Sequence, residues 1–105
     1  MTHKDCCWNL WQLLGGYLHQ DWMIEYPDAD SALADAVVGQ GVAQVSSAAK
    51  ELAAHRPPAS DEDASRRFSN DLCDYHPPSD GLTYSAWLDR VQQILNEATR
   101  TGMST

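Results

Sequence analysis

Basic residues are scarce in this sequence: 7 Lys and Arg stand against 15 Asp and Glu, for a formal charge of −8 over 105 residues. Between Asp5 and Ala49 there is no Lys or Arg, while Asp5, Asp21, Glu25, Asp28, Asp30 and Asp35 all fall there. That deficit argues against direct nucleic-acid binding, because phosphate readers need a basic footprint. A chain so charged stays dispersed in water and attracts cationic proteins. Its acids therefore read either as a solubility face or as a docking surface.

Other absences narrow the class further. No apolar run approaches the ~20 residues of a membrane helix, and the opening MTHKDCCW has no apolar core behind a basic start, as a secretory leader would. The expected setting is soluble and cytoplasmic. Cys6, Cys7 and Cys73 are odd in number, two of them adjacent, with neither disulfide-framework nor zinc-site spacing. Buried, reduced thiols are the expectation. No stretch alternates as a strand does, and no internal repeat is visible. The segment GQG, Gly39 to Gly41, lacks the Lys or the spacing of a phosphate-cradling loop. By length, residues 1–105 make one domain.

Apolar residues recur at helical spacing. Cys7, Leu10, Leu14, Tyr17 and Leu18 form one stripe, with Trp8 and Trp11 widening it, and Gly15-Gly16 is expected to stop or kink this helix. Pro27 places Glu25-Tyr26 in a turn or extended segment. A second helix starts at Asp28 or Asp30 as N-cap, carries Ala29, Leu33, Ala36 and Val37, and ends in GQG. A third carries Val42, Val45, Ala49, Leu52 and Ala53 and ends near His55, before two prolines. Ser60 is the expected cap of a fourth, with Asp63 in capping-box position and Phe68 and Leu72 as anchors. DYHPPSDGL is a loop. Thr83 caps the last helix, on which Tyr84, Trp87, Leu88, Val91, Ile94, Leu95 and Ala98 share a face. The reading is an all-α, compact, single-domain bundle of about five helices.

Within GYLHQDW, His19 and Asp21 stand one residue apart, and His76 and Asp80 lie in the later loop. Histidine and carboxylate oxygen ligate zinc, so a small metal-dependent enzyme or metal sensor using His19, Asp21 and His76 is one reading. The spacing has no counterpart of a helical H-E-x-x-H, and polar residues between aromatic anchors ordinarily bond nearby backbone. No cysteine has a base close in sequence, so no nucleophile is assigned. The 4 tryptophans read as core bulk rather than a ligand cage. What remains is charge on a scaffold: one acidic cluster at Asp21 to Asp35, another at Asp61, Glu62 and Asp63 with Asp71 and Asp74 nearby. Set opposite Lys and Arg, such a surface speeds association.

Two blocks carry a family resemblance. LLGGYLHQDWMIEYPD, residues 13–28, and CDYHPPSDGLTYSAWLDRV, residues 73–91, resemble the glycine–aromatic–HQDW signature and the closing pattern of one family of contact-dependent growth-inhibition immunity proteins. The resemblance implies a bacterial, cytoplasmic antitoxin-like protein, without cofactor or catalysis, that binds the C-terminal toxin domain of a cell-surface effector. Many such toxins are nucleases, and a basic nuclease suits an acidic inhibitor. A signature shared by proteins that meet different toxins marks architecture, so Tyr17, His19, Asp21, Trp22 and Trp87 are expected to be structural. The expected toxin contacts are Glu25, Asp28, Asp30, Asp35, Asp61, Glu62, Asp63, Asp71 and Asp74. An adaptor for some other basic protein would show the same features.

Overall fold

In the computed structural model, which describes residues 6–19 and 21–103, the expected helices form and a short one joins them. They are α1 (Trp8–Tyr17), α2 (Trp22–Glu25), α3 (Ala29–Gln40), α4 (Val42–His55), α5 (Glu62–Leu72) and α6 (Tyr84–Met103), with a 3₁₀ turn at Pro77–Asp80. No strand occurs among the described residues. The fold is the all-α bundle the periodicity calls for. Helix α4 is its middle member, packed chiefly against α6 and α1, while α5 lies against α6 and α3 against α1.

Helix α1 buries Leu10, Leu13 and Leu14, with Cys7 and Leu18 buried at its two ends. Trp11 packs on the core, but Trp8 remains 55% exposed, stacked on Trp11 with ring centroids 5.0 Å apart. At 100° per residue Trp8 points about 160° away from Leu10, so it cannot widen the same face. Nor does Gly15-Gly16 break the helix. The chain stays helical to Tyr17, and the Leu18 N–H still reaches the Leu14 carbonyl at 2.7 Å. Gly15 is there for clearance: a Cβ on it would stand 2.9 Å from the Leu72 carbonyl oxygen at the end of α5. Beside this crossing the Asp74 N–H bonds the Leu18 carbonyl at 2.9 Å.

Asp28 caps α3, its carboxylate accepting from the Ser31 N–H at 2.8 Å, and Tyr26 before Pro27 is extended. Helices α3 and α4 are joined by Gly41 alone, at φ 85° and ψ 158°, a region essentially reserved for glycine. Gly39 is still helical and leaves room for the Tyr17 hydroxyl. At the start of α5 the capping residue is Asp61, not Ser60. The Asp61 N–H closes a turn on the Pro58 carbonyl at 3.0 Å, and its carboxylate accepts from Ala64 N–H at 3.0 Å. The capping-box role expected for Asp63 is not used; Asp63 pairs with Arg66 and Arg67 instead. Thr83 caps α6 as expected, accepting from Ala86 N–H at 3.0 Å.

Two helix N-termini are also capped from other helices. Glu51 of α4 accepts from the Leu10 N–H at 2.9 Å and the Asn9 amide at 2.7 Å, at the start of α1, where Cys7 offers no side-chain bond. Glu62, the first residue of α5, accepts from the Tyr84 and Ser85 N–H groups of α6 at 2.6 and 3.1 Å. Each carboxylate meets the positive end of a helix dipole and two donors that would otherwise go unpaired.

Candidate functional site

The two loops that flank the bundle, one leading through Trp22 to Asp28 and the other 73–83, are brought together by three rings. The turn at His19 and Asp21 winds itself up first. Asp21 N–H donates to His19 Nδ1 at 3.1 Å, Trp22 N–H to the His19 carbonyl at 3.0 Å, and Ile24 N–H to the Asp21 carbonyl at 3.0 Å. This turn starts α2 and drives the Trp22 indole into the core, where it meets Tyr75 edge-on at 5.6 Å. Tyr75 in turn lies 4.4 Å from Trp87 of α6. The phenol donates to Asp80 at 2.6 Å; burial, then that bond, raise its ionisation well above the ordinary tyrosine range. Tyr17, in the same signature, accepts from the Gln40 amide at 3.5 Å and ties α1 to the end of α3.

Between the loops lies a cleft of about 320 Å³, lined by Trp22, Met23, Tyr26, Pro27, Asp28, Asp74, Tyr75, His76, Ser79 and Asp80. Three carboxylates face aromatic surface there. The bond from the Ser31 N–H holds Asp28 below the usual carboxylate range, so it is charged at neutral pH. Met23 and Ile24, 71% and 84% exposed, form an apolar rim on α2. A smaller cleft of about 200 Å³ shares Asp28, Tyr75 and Asp80, and in it Asp30 holds the Arg90 guanidinium through two bonds, Nε to Oδ1 being 2.7 Å.

Of the nine acids expected to meet a partner, this cleft unites Asp28 and Asp74. Asp30 lies in the adjoining cleft. Glu25 sits on α2 with its carboxylate 3.9 Å from His19 Nε2. Asp35 accepts from the Tyr26 hydroxyl, and that bond raises the Tyr26 pKa to about 12. Asp61, Glu62 and Asp63 begin α5, whereas Asp71 is near its end, and the helical rise separates Glu62 from Asp71 by about 14 Å. Arg66 beside Asp63 holds its carboxyl below the usual range. The acids on α5 thus run from the far end of the helix toward the cleft rather than gathering in it.

Sequence reasoning missed Asp80 as an acid of this cleft, and the exposed Met23-Ile24 pair. The signal for the pair was present: two apolar residues on a segment cut short by Pro27, with no periodic partner to bury them. The metal reading lacks an assembled site. Among the described residues no three of His, Cys, Asp and Glu stand together to hold an ion. His19 Nδ1 serves the Asp21 N–H, and His76 Nδ1 lies 3.2 Å from the Tyr84 hydroxyl. None of the three cysteines is in a disulfide. Burial pushes the Cys7 thiol to about 12 and the Cys73 thiol to about 11, so neither supplies a thiolate at neutral pH. Cys6 departs from the expected burial and is exposed.

A family model described as CdiI immunity protein matches residues 7–95, taking in both loops, the cleft and the helices between them. The chain belongs to the CdiI immunity protein family. The match runs continuously from the start of α1 into α6 and includes the alanine-rich middle. Membership points to an immunity protein, one that neutralises a toxin. No curated protein and no solved structure gives a match. No helix among the described residues is long and apolar enough to cross a membrane.

Proposed function

We propose that this CdiI-family protein silences its cognate toxin, the C-terminal domain of a contact-dependent growth-inhibition effector, by one-to-one docking in the cytoplasm and without chemistry of its own. The cleft between the two loops is the centre of the contact. One observation supports this reading above the others: the exposed apolar side chain of Met23, with exposed Ile24 next to it in sequence, shares a cleft with the carboxylates Asp28, Asp74 and Asp80 and an aromatic wall. A protein interface of high affinity needs an apolar anchor that loses its water and a charged surround that steers encounter. The cleft offers both.

The toxin surface that fits is basic, as the nucleic-acid-binding face of a nuclease is. Glu25, Asp30 and Asp35 extend the negative surface along α2 and α3, and Asp61, Glu62, Asp63 and Asp71 extend it along α5. These act by long-range attraction on the approaching partner, so they influence the association rate more than the lifetime of the complex. Tyr17, His19, Asp21, Trp22 and Trp87 hold the scaffold that sets the cleft.

The test is association kinetics with the purified toxin domain at two salt concentrations. Asp74→Lys should lower the association rate by about tenfold and flatten its salt dependence, because an attractive contact becomes a repulsive one. Met23→Glu should mainly speed dissociation. Unchanged kinetics in both variants would move the interface elsewhere. Absence of any complex with the toxin at micromolar concentration would overturn the function itself.

A further inference from the structure

A third cleft, of about 770 Å³, lies between α4 and α6, away from the two loops. Its walls carry Lys50, Arg56 and Arg100, and Ala49 and Ala53 supply apolar surface. Three of the chain's 7 Lys and Arg thus converge on one face of a molecule of charge −8. Elsewhere Arg66 and Arg67 are paired with Asp63, and Arg90 with Asp30. Lys50 and Arg100 are exposed. Arg56 is held in place, donating to the Ser85 carbonyl at 3.3 Å and pairing with Asp89 at 2.8 Å.

Gln92 crosses from α6 toward α4, its amide donating to the Ala49 carbonyl at 3.1 Å and to Asn96 Oδ1 at 3.0 Å. On α4 the lining positions 46, 49, 50, 53 and 56 follow helical spacing over ten residues, about 15 Å of groove. That is the length of roughly three helical turns. Charges more than about 8 Å apart are largely screened at physiological salt. Acids beyond that distance therefore weigh little against Lys50 and Arg100, whereas Asp89 already neutralises Arg56.

We propose that this groove docks an acidic amphipathic helix of a partner protein. The helix would pair its carboxylates with Lys50 and Arg100 and lay its apolar side chains over Ala49 and Ala53. Apolar floor, cationic walls and helical length are the features by which a groove selects such a helix. The inference goes beyond toxin binding and stands or falls separately from it.

The experiment is fluorescence anisotropy on the full chain. Its probe is a labelled synthetic amphipathic peptide with Glu on its polar flanks and Leu on its apolar face. A twin with Lys in place of Glu and a labelled single-stranded oligonucleotide serve as comparisons. The Glu peptide should bind, lose about tenfold in affinity to the K50E/R100E variant, and be unaffected by Asp74→Asn. K50Q/R100Q should give an intermediate loss, and it carries the test if the double reversal fails to fold. The proposal is overturned by equal binding of the Lys twin, by equal or tighter binding of the oligonucleotide, by an affinity that neither double variant changes, or by no binding of the Glu peptide.

Discussion

Replacing Gly15 and Gly16 one at a time by alanine sets two adjacent positions of one helix against each other. In a helix interior the exchange of Gly for Ala contributes about 0.5–1 kcal/mol of stability through backbone entropy and propensity. At Gly16 nothing lies within 4 Å of the added Cβ, so the gain is realised. For a domain of about 100 residues this raises Tm by roughly 4 °C. At Gly15 the same Cβ arrives 2.9 Å from the Leu72 carbonyl oxygen, nearer than carbon and oxygen pack. That carbonyl cannot easily retreat, since the next two N–H groups are pinned, Cys73 to Ser69 at 3.0 Å and Asp74 to Leu18 at 2.9 Å. Overpacking of this kind costs about 1–3 kcal/mol, more than the propensity gain returns. Gly15→Ala should therefore lower Tm by about 4–8 °C for a net loss near 1 kcal/mol. Thermal and urea denaturation followed by circular dichroism measure both variants. If Gly15→Ala proves as stable as Gly16→Ala, the close crossing of α1 and α5 is not what fixes glycine at this position.

Glu51→Ala should destabilise by about 1–3 kcal/mol, because it strips the start of α1 of two accepted bonds at once, and Glu51→Gln by less; urea titration reads the difference. Alkylation of the native protein by iodoacetamide at pH 8 should modify Cys6 alone, since Cys7 and Cys73 are buried with raised pKa values. Mass spectrometry should then show three adducts only after denaturation. Acid should weaken the fold through Asp28 and Asp63, whose folded pKa values lie below those of the unfolded chain. Their stabilising charge is complete above about pH 4 and disappears as pH falls through the lowered values. Tm measured from pH 6 to pH 3 should drop, and Asp28→Asn should make the decline shallower.

Much of this molecule could be read from local pattern. The last helix was visible because its apolar residues repeat over four turns and Thr83 stands at its start. Gly41 and the prolines at 57 and 58 punctuate the chain wherever a side-chain-bearing or N–H-bearing residue would break the geometry. Capping by Asp28 was legible for the same reason, since the bond closes within three residues. The family resemblance lay in two loops whose residues are individually ordinary and informative only in order.

Contacts between distant segments were not legible. Gly15-Gly16 reads as a break because glycine weakens helices. Only the approach of Leu72 shows that one of the two is required by another helix. Glu62 counts in sequence as one acid among three, yet it caps a helix that begins at Tyr84. Asp28, Asp74 and Asp80 are spread over fifty-two positions, and the ring contacts of Trp22, Tyr75 and Trp87 bring the loops that carry them together. Local chemistry, acting within one or two turns, determined which segments are helices and where each begins. Which carboxylates cap a neighbour, and which share a cleft, was decided by packing, because that depends on how the finished helices cross.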